Sequence, residues 1–386
     1  MTVDAVRTVR VFLPCTGLGR EARGFETFTR SCAAAMRGVH GAELTVFGGG
    51  GVLEAPERRV ASLSRRGATA AVLGALLRRD PYFVEQATFA AAFLPALVGG
   101  DPDVVYFADL NLGNALWHWR RLTGQRYRML FYNGGATTQP FTRCDLVQQV
   151  SPEHLEAARA RGEAMEREVL LPHGATIARD FAPAGAAERA RTRTALGVPV
   201  SGALVLSVGA LDASVKRMDY VIREVASLPS PRPHLLLLGT ETAETPVLRR
   251  LATDALGAGG CTMATVPQAA ALDAYRAADA FVLASLREGF GLAHVEALAS
   301  GVPCLAHATA TTAYIYGDDA VLGDLRSAGA LTAALAATLV GGGNEAAARG
   351  RHERAYARFS WDALAPRYLE LFRACADGRA PRLETA

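Results

Sequence analysis

The sequence predicts an α/β protein with two Rossmann-like domains that face a cleft. Its 386 residues are too many for one ordinary hydrophobic core and indicate two domains. Short apolar runs alternate with longer amphipathic runs, which is typical of parallel sheets covered by helices on both faces. This alternation ends near Pro172 and restarts at Ala203, so each half is expected to form its own sheet.

In the first half, each short apolar run is followed by a polar or glycine-containing turn, as expected for a buried strand. The predicted strands are 9–14, 43–47, 104–107, 129–132, 146–150 and 169–171. Amphipathic spacing predicts a helix over 24–36 and a second helix that contains Trp117 and Trp119. This half is assigned to an N-terminal domain of residues 1–172.

The second half repeats the pattern, with helical stretches between strands. The predicted strands are 203–208, 234–238, 262–266, 280–284, 303–306 and 320–322. This domain is assigned to residues 173–358, after a linker rich in proline and glycine between Pro172 and Pro199. Residues 359–386 are assigned to a C-terminal helix that packs back on the N-terminal domain, with Ser360 as its N-cap.

Composition excludes several classes of function. The net charge of +3 does not indicate nucleic acid as a partner. The six cysteines are far apart and lack a CxxC pair, and the eight histidines form no HxxxH or HExxH pair, so we expect neither a disulfide framework nor a metal site. The N-terminus does not have the form of a signal peptide, so a cytoplasmic location is expected.

The most apolar stretch runs from Ala68 to Val98. Arg78, Arg79, Asp80 and Pro81 interrupt it, so it is expected to form two helices rather than one membrane span. Packing against the core is the favoured interpretation, and a peripheral contact with a membrane surface is the alternative.

Lys216 is the single lysine of the chain. Lysine and arginine together number 41, so 41 − 1 = 40 are arginine. It lies in the stretch 209–217, directly after the predicted strand 203–208, where a helix N-terminus adds free N–H groups and partial positive charge. Because ligands bind beyond the carboxyl ends of parallel strands, this position suits a diphosphate.

A second candidate segment follows the strand 280–284. It contains Glu288, Gly289, Phe290 and Gly291, and Glu296 follows eight residues after Glu288. The glycines allow the backbone to approach a ligand closely, and a helix that starts near Gly291 would direct its amides toward that ligand. Carboxylates beside an anion site are better suited to bind sugar hydroxyls than the anion itself.

These residues resemble the E-x7-E signature of retaining glycosyltransferases with two Rossmann-like domains (the GT-B fold), and most closely family 4. The resemblance covers nearly the whole chain. Weaker similarities are the stretches 171–174 (Leu-Pro-His-Gly), 23–26 (Arg-Gly-Phe-Glu) and 359–361 (Phe-Ser-Trp). The resemblance implies a metal-independent hexosyltransferase without a cofactor. Such an enzyme moves a sugar from a UDP or GDP donor to an acceptor hydroxyl with retention of configuration.

The resemblance also implies roles for individual residues. Glu288 would contact the donor sugar, Glu296 the ribose diol, and Lys216 the diphosphate, and closure of the two domains would exclude water. Further expected donor contacts are Arg217, Gly24, Gly209, Gly289, Phe290, Gly291, Leu292 and Val266, with the base read by the loops around Gly239 and Pro267. The acceptor is left open among saccharides, natural products and lipid-linked sugars.

Two positions depart from the family pattern. An arginine is usual six residues before the lysine, but this chain has Ala210, for which Arg217, Arg20 or Arg23 would have to substitute. After the strand 129–132, where relatives carry a histidine, this chain has Asn133, which can bind a hydroxyl but cannot act as an acid or base near neutral pH. Asp109, after the strand 104–107, is expected to orient an acceptor hydroxyl.

Three alternatives stay open at the level of sequence. Residues 17–22 (Gly-Leu-Gly-Arg-Glu-Ala) match a dinucleotide-binding fingerprint, which would indicate an NAD-dependent oxidoreductase. The next strand, however, ends in four glycines and lacks the acid that binds a ribose. A sugar phosphorylase or nucleotide-sugar epimerase could use the same scaffold, and so could a non-catalytic sugar-binding protein.

Overall fold

A computed structural model describes residues 7–21, 24–135, 140–341 and 344–382. The chain divides into two compact units. The first unit contains Met1–Thr176 and Trp361–Ala386, and the second contains Ile177–Ser360. The C-terminal segment therefore belongs to the same unit as the N-terminal half.

The strands of the first unit are β1 (Val9–Cys15), β2 (Ala42–Gly48), β3 (Arg58–Arg59), β4 (Val104–Phe107), β5 (Arg128–Asn133), β6 (Leu146–Gln149) and β7 (Glu168–Leu170). Its helices are α1 (Gly24–Met36), α2 (Ala68–Leu77), α3 (Pro81–Gly100), α4 (Leu110–Thr123) and α5 (Pro152–Ala160). A 3₁₀ turn (Met165–Arg167) precedes β7. The short strand β3 has no apolar run in the sequence and was not predicted.

The strands of the second unit are β8 (Leu204–Val208), β9 (His234–Leu238), β10 (Cys261–Ala264), β11 (Ala280–Leu283), β12 (Cys304–His307) and β13 (Ala320–Gly323). Its helices are α6 (Ala186–Ala195), α7 (Met218–Ala226), α8 (Thr245–Leu256), α9 (Gln268–Ala277), α10 (Leu292–Ala299), α11 (Ala310–Tyr316), α12 (Ala330–Val340) and α13 (Glu345–Phe359). The last helix of the chain, α14 (Trp361–Asp377), returns to the first unit.

Both sheets are parallel throughout and share one strand order. The first sheet runs β3-β2-β1-β4-β5-β6-β7, and the second runs β10-β9-β8-β11-β12-β13. In each, the chain first builds outward on one side of the first strand and then on the other. Such sheets bind ligands where the order reverses, beyond the carboxyl ends of β1 and β4 or of β8 and β11. This architecture confirms the predicted α/β fold class.

The two cores differ in composition. In the first unit, phenylalanines from strands and helices pack together, as in the group Phe12, Phe47 and Phe93, whose ring centroids lie 4.8–6.3 Å apart. In the second unit, leucine and valine side chains of β8 and β9 pack against α7, α8 and α12. Strands buried on both faces explain why these segments appear as continuous apolar runs.

Helix α14 completes the core of the first unit. Tyr368 donates a hydrogen bond to the carbonyl of Pro172 at 3.0 Å and accepts one from Gln148 at 2.8 Å. Phe372 packs edge-on against Tyr106, with centroids 5.5 Å apart. These contacts join the end of the chain to the ends of β6 and β7.

The apolar stretch 68–98 forms the two helices that its sequence predicts. Asp80 caps α3 by accepting a hydrogen bond from the backbone of Phe83 at 2.6 Å. Taken alone, α3 is 20 residues long and, by length and composition, could cross a membrane. Phe89, Phe93 and Leu97 nevertheless lie fully buried in the core of the first unit.

Gly113 of α4 provides a test of core packing. A Cβ at Gly113 would lie 2.3 Å from Phe107 and 2.7 Å from Phe141, whereas a Cβ at Gly99 of α3 meets nothing within 4 Å. We expect Gly113→Ala to lower the free energy of unfolding by about 1–3 kcal/mol, and Gly99→Ala to change it by less than about 1 kcal/mol, in the stabilising direction. Thermal and urea denaturation would measure both. Equal stability of the two variants would contradict this packing.

Candidate functional site

The loop after β8 presents Lys216 just before α7. Asp212 accepts hydrogen bonds from the backbone N–H groups of Val215 and Lys216, at 2.9 and 2.6 Å. Glu244, at the start of α8, accepts hydrogen bonds from the backbone of Ala213 and the hydroxyl of Ser214, at 2.9 and 2.8 Å. The same contacts hold the pKa of Glu244 below its usual value. Two carboxylates thus fix the backbone of this loop.

The Lys216 ammonium donates a hydrogen bond to Oε1 of Glu288 at 2.5 Å. The two side chains are only 20% and 13% exposed, so the pair is largely withdrawn from solvent. Gly209 leaves room for the lysine stem, because a Cβ there would lie 3.1 Å from three carbons of Lys216. The predicted cation and the first predicted carboxylate therefore meet at the carboxyl ends of the adjacent strands β8 and β11.

Gly291 adopts a left-handed conformation (φ 83°) directly before α10. A Cβ at this position would also lie 2.6 Å from the His294 ring, so a larger residue would be strained and crowded. His294 is buried and its Nδ1 lies 2.8 Å from the Tyr316 hydroxyl. Burial lowers the pKa of His294 to about 4, which keeps its ring neutral at physiological pH.

The remaining residues of the signature lie around this helix start. Gly289 and Phe290 are buried, and the Phe290 ring packs edge-on against Phe359 at 5.8 Å, so this side chain anchors the loop. Leu292 is the first residue of α10. Because the first N–H groups of a helix have no intrahelical acceptor, Leu292 and Ala293 direct donors and partial positive charge toward the strand ends.

Glu296 lies in the middle of α10, next to two polar side chains of α9. Tyr275 donates a hydrogen bond to its Oε2 at 3.1 Å and Gln268 to its Oε1 at 3.3 Å. Burial raises the pKa of Glu296, against the opposite effect of these hydrogen bonds. A carboxylate held in this way at the sheet edge can accept hydrogen bonds from a vicinal diol.

Two of the three substitutes considered for the missing arginine, Arg217 and Arg20, are engaged elsewhere. Arg217 has a left-handed backbone (φ 54°), donates to the carbonyls of Ala284 and Leu325, and stacks over the Tyr220 ring at 4.2 Å. Arg20, in the first unit, donates to Ser62. Arg23 lies outside the described residues. Arg217 thus has a structural role in this conformation, because its guanidinium binds backbone carbonyls of its own unit.

Residues predicted to read the nucleotide base lie in the loops that follow β9 and β10 of the second sheet. Gly239 follows β9, and a Cβ there would lie 1.6 Å from the Gly209 carbonyl, so close backbone approach requires glycine at this position. The backbone of Leu211 donates to the carbonyl of Thr240 at 2.9 Å, which ties the Lys216 loop to the loop after β9. Val266, between β10 and α9, is partly exposed.

Asp109 occupies the corresponding strand-order reversal in the first unit. It precedes α4 but does not cap it. Instead, its Oδ2 accepts a hydrogen bond from Thr16, after β1, at 2.6 Å, and its Oδ1 accepts one from the Tyr82 hydroxyl of α3. The Arg65 guanidinium covers the Tyr82 ring at 3.7 Å. Because each carboxylate oxygen has two lone pairs, Asp109 keeps capacity for a further donor.

Two more predicted residues lie in this unit. Asn133 is the last residue of β5, and its amide donates to Gln149 at 2.7 Å, so its side chain joins two strand ends. Gly24 is the exposed first residue of α1. Gly19, the central glycine of the dinucleotide-like stretch, packs against the loop after β2, because a Cβ there would lie 2.1 Å from the Gly50 carbonyl. That packing accounts for Gly19 without a bound dinucleotide.

Sequence reasoning missed the residues that support the site: Asp212, Glu244, Gln268, Tyr275, Thr16 and Tyr82. Only Asp212 had a local signal, since an aspartate commonly accepts hydrogen bonds from N–H groups a few residues further along the chain. The others act across gaps of 21 to 93 residues.

Other cavities and clusters of the described residues do not compete with this site. A cavity of about 500 Å³ in the second unit lies at the opposite, amino ends of the strands, where it is lined by Ala203, Asp279 and Pro303 among others. Within the described ranges, no group of three or more histidine, cysteine, aspartate or glutamate side chains is placed to hold a metal ion.

Comparison with known proteins identifies the part of the chain that carries the signature. Residues 202–340 match the family model described as "Glycosyl transferases group 1". A relative named D-inositol 3-phosphate glycosyltransferase, from Xylanimonas cellulosilytica, is 29% identical over 245 residues, which cover 61% of this chain and 58% of the relative. The matches to curated relatives of this kind thus span less than two thirds of their length.

Solved structures share the fold over nearly the whole chain. Sucrose-phosphate synthase from Thermosynechococcus elongatus superposes with a TM-score of 0.77 at 21% identity, covering 95% of this chain and 98% of that structure. The Anabaena protein HepE in complex with UDP and glucose gives a TM-score of 0.73 at 16% identity, covering 95% and 100%. These structures show the GT-B fold, and the family match over residues 202–340 supports the resemblance to family 4 glycosyltransferases.

The raised pKa of Glu296 predicts a pH-dependent gain in stability for Glu296→Gln. The folded state binds the proton of the Glu296 carboxyl more tightly than the unfolded state does. The stability that this protonation contributes is therefore fully present below the ordinary pKa of 4.5, and it is lost as the pH rises through the pKa that Glu296 has in the folded state. Glutamine keeps the hydrogen-bonding shape without the charge.

We therefore expect Glu296→Gln to raise the melting temperature of the ligand-free protein at neutral pH, and this gain to shrink as the pH falls toward about 4. Differential scanning calorimetry across this pH range would measure it. Glu353→Gln, at an exposed position of α13, is the matched control and should change little. A lower melting temperature for Glu296→Gln at neutral pH would refute the assignment.

Proposed function

We propose that this protein is a hexosyltransferase that moves a sugar from a nucleoside diphosphate sugar to an acceptor hydroxyl with retention of configuration and without a metal ion. The observation that carries the proposal is the contact between Lys216 and Glu288 beside the start of α10. It supplies a cation, helix amides and a carboxylate at one strand-order reversal. The matched family segment, residues 202–340, contains all of them.

The donor would bind through charge and hydrogen bonds at the edge of the second sheet. Its diphosphate replaces Glu288 as the partner of Lys216 and accepts hydrogen bonds from the first amides of α10. Glu288, released from this pair, accepts hydrogen bonds from hydroxyls of the donor sugar. Glu296 accepts hydrogen bonds from the ribose diol, while Tyr275 and Gln268 hold its carboxylate in place. The HepE structure, solved with UDP and glucose, supports UDP as the first donor nucleotide to test.

In the transfer step, the bond between the anomeric carbon and the diphosphate oxygen breaks, and its electron pair stays on that oxygen. Lys216 and the α10 amides stabilise the negative charge as it develops. The acceptor oxygen forms the new bond on the same face of the sugar, and its proton passes to the leaving phosphate oxygen. Before this step, Asp109 in the first unit accepts a hydrogen bond from the acceptor hydroxyl and so orients it; the hydroxyl proton then turns to the leaving phosphate oxygen as negative charge develops there. That acceptor is a saccharide, a natural product or a lipid-linked sugar.

Ligand titration distinguishes this proposal from the alternatives. We expect UDP or GDP, but not NAD, to raise the melting temperature, since a ligand at 100 times its Kd adds about 2.7 kcal/mol of stability. Incubation with donor sugars should release the nucleoside diphosphate slowly, even with EDTA present. The anomeric configuration of the product, read by NMR, tests retention. Stabilisation by NAD alone, or an absolute need for inorganic phosphate, would overturn the proposal.

Lys216 variants test the diphosphate contact. We expect Lys216→Ala to lower kcat about a hundredfold to a thousandfold, by analogy with the loss of a preorganised charge stabiliser. Lys216→Arg should retain an intermediate rate, since the wider guanidinium keeps the charge but does not fit the space beside Gly209.

Two controls separate catalysis from folding. Removing Lys216 leaves Glu288 buried without its partner, so the double variant Lys216→Met/Glu288→Gln shows whether fold is retained when both charges are absent. Arg223→Ala removes an exposed cation of α7 and should leave kcat unchanged. Wild-type turnover in Lys216→Ala would rule out the proposed role.

Asp109 and Tyr82 provide a test on the acceptor side. We expect Asp109→Asn to lower kcat/KM for the acceptor about tenfold to a hundredfold, because it weakens the hydrogen bond that orients the acceptor hydroxyl. Tyr82→Phe should lower it less, because it removes only the hydroxyl that holds the Asp109 carboxylate. Donor hydrolysis, which uses water as acceptor, should stay near the wild-type rate.

Tyr127→Phe is the matched control, since the Tyr127 hydroxyl donates to the carbonyl of Leu116 inside the same unit. This variant should lower thermal stability without changing the ratio of transfer to hydrolysis. An equal loss of hydrolysis and transfer in Asp109→Asn would place Asp109 outside acceptor binding.

A further inference from the structure

We propose that α2 and the arginines around it dock the first unit on an anionic lipid surface. The helix runs from Ala68 to Leu77 and contains alanine, valine, leucine, glycine and one threonine. Only Ala70 and Gly74 of its ten residues are buried. An apolar helix of a globular protein normally directs its large side chains into the core, so the arrangement here is inverted.

The exposed side chains form one continuous apolar face. Val72 is 59% exposed, Leu76 75% and Leu77 59%. Leu73 lies between them and is partly exposed. The small residues Ala70 and Gly74 allow α2 to lie close to the chain that follows it, since a Cβ on Gly74 would lie 2.7 Å from the Arg79 carbonyl. The helix is thus held by its small face and presents its large apolar face to solvent.

The segment that contains α2 is rich in arginine. Residues 58–79 contain six arginines and no aspartate or glutamate. Arg65 and Arg66 pair with Glu85 and Glu21. Arg58, Arg59, Arg78 and Arg79 are exposed, and among the described residues none of these four forms an ion pair. Arg78 and Arg79 directly follow α2, a helix of about 15 Å, and therefore remain available to a partner beside its apolar face; Arg58 and Arg59 are two further exposed cations of the same unit.

A lipid surface matches this combination better than other partners do. Leucine and valine side chains insert at the boundary of headgroups and acyl chains, while arginines bind lipid phosphates. A second copy of the chain, joined through the same face, would bring like charges together. Both arginines lie at the exposed C-terminal end of α2. Arg78 caps the helix in a left-handed conformation, and the Arg79 guanidinium lies over the Phe83 ring at 5.1 Å.

Vesicle flotation with the full chain tests the proposal without donor or acceptor, so its outcome is independent of glycosyl transfer. We expect the protein to float with vesicles of equimolar phosphatidylglycerol and phosphatidylcholine, and far less with phosphatidylcholine alone. High salt should reduce the binding. Failure to float with the anionic vesicles at low salt would overturn the proposal.

Two double variants separate the apolar and the charged contributions. Leu76→Gln/Leu77→Gln should lower the partition coefficient by about tenfold or more. Arg78→Gln/Arg79→Gln should lower it by about thirtyfold at low salt. All four side chains are exposed, so the melting temperature should not change.

The matched control is Leu122→Gln/Arg126→Gln, an exposed pair at and just after the end of α4 in the same unit. It should float like the wild type. Three results would overturn the proposal: a control variant that loses as much binding as the α2 variants, vesicle binding that survives in Leu76→Gln/Leu77→Gln, or a dimer in light scattering that this variant dissociates in the absence of lipid.

Discussion

The ion pair between Lys216 and Glu288 is the interaction on which the second unit's site depends. It joins the loops that follow two neighbouring strands, and each partner satisfies a charge that would otherwise be partly buried without compensation. The pair also defines what a ligand must supply. A ligand that binds here has to provide an anion for Lys216 and a hydrogen-bond donor for Glu288 at the same time. A phosphorylated sugar meets both demands, whereas a free sugar supplies no anion and an aprotic anion such as sulfate supplies no hydrogen-bond donor.

In each unit, residues whose conformation or environment departs from the ordinary rules lie at the carboxyl ends of the strands. Glu296 is kept in an environment that raises the pKa of its carboxyl, and Gly291 takes a left-handed conformation next to the His294 ring. Asp109 does not cap α4 and accepts hydrogen bonds from Thr16 and Tyr82. Elsewhere the two sheets follow ordinary rules of burial and register. A local loss of folding stability is expected where side chains are arranged to bind a ligand rather than to stabilise the fold.

Much of the fold could be predicted from the sequence because parallel strands buried on both faces appear as apolar runs, which set the strand series of both sheets. The Lys216 and Glu288 positions followed from the rule that ligands bind at strand ends. Partners distant in sequence could not be predicted, such as Tyr275 for Glu296 or Tyr82 for Asp109, because no local pattern encodes them. Arg217 illustrates the reverse problem: its position suggested a ligand contact, but its guanidinium binds the carbonyls of Ala284 and Leu325. Composition likewise favoured α2 as a core helix, although its large side chains are exposed.

The two units divide the proposed reaction in a way that explains which part of the chain resembles known families. The matched segment, residues 202–340, lies within the second unit, which in the proposed reaction binds the activated sugar. The first unit holds Asp109 at the equivalent strand-order reversal, together with the basic and apolar surface of α2. An acceptor can differ from enzyme to enzyme while the donor stays a nucleoside diphosphate sugar. The residues that decide what receives the sugar, and on which surface, are therefore to be sought around Asp109 and α2 rather than in the signature that identifies the fold.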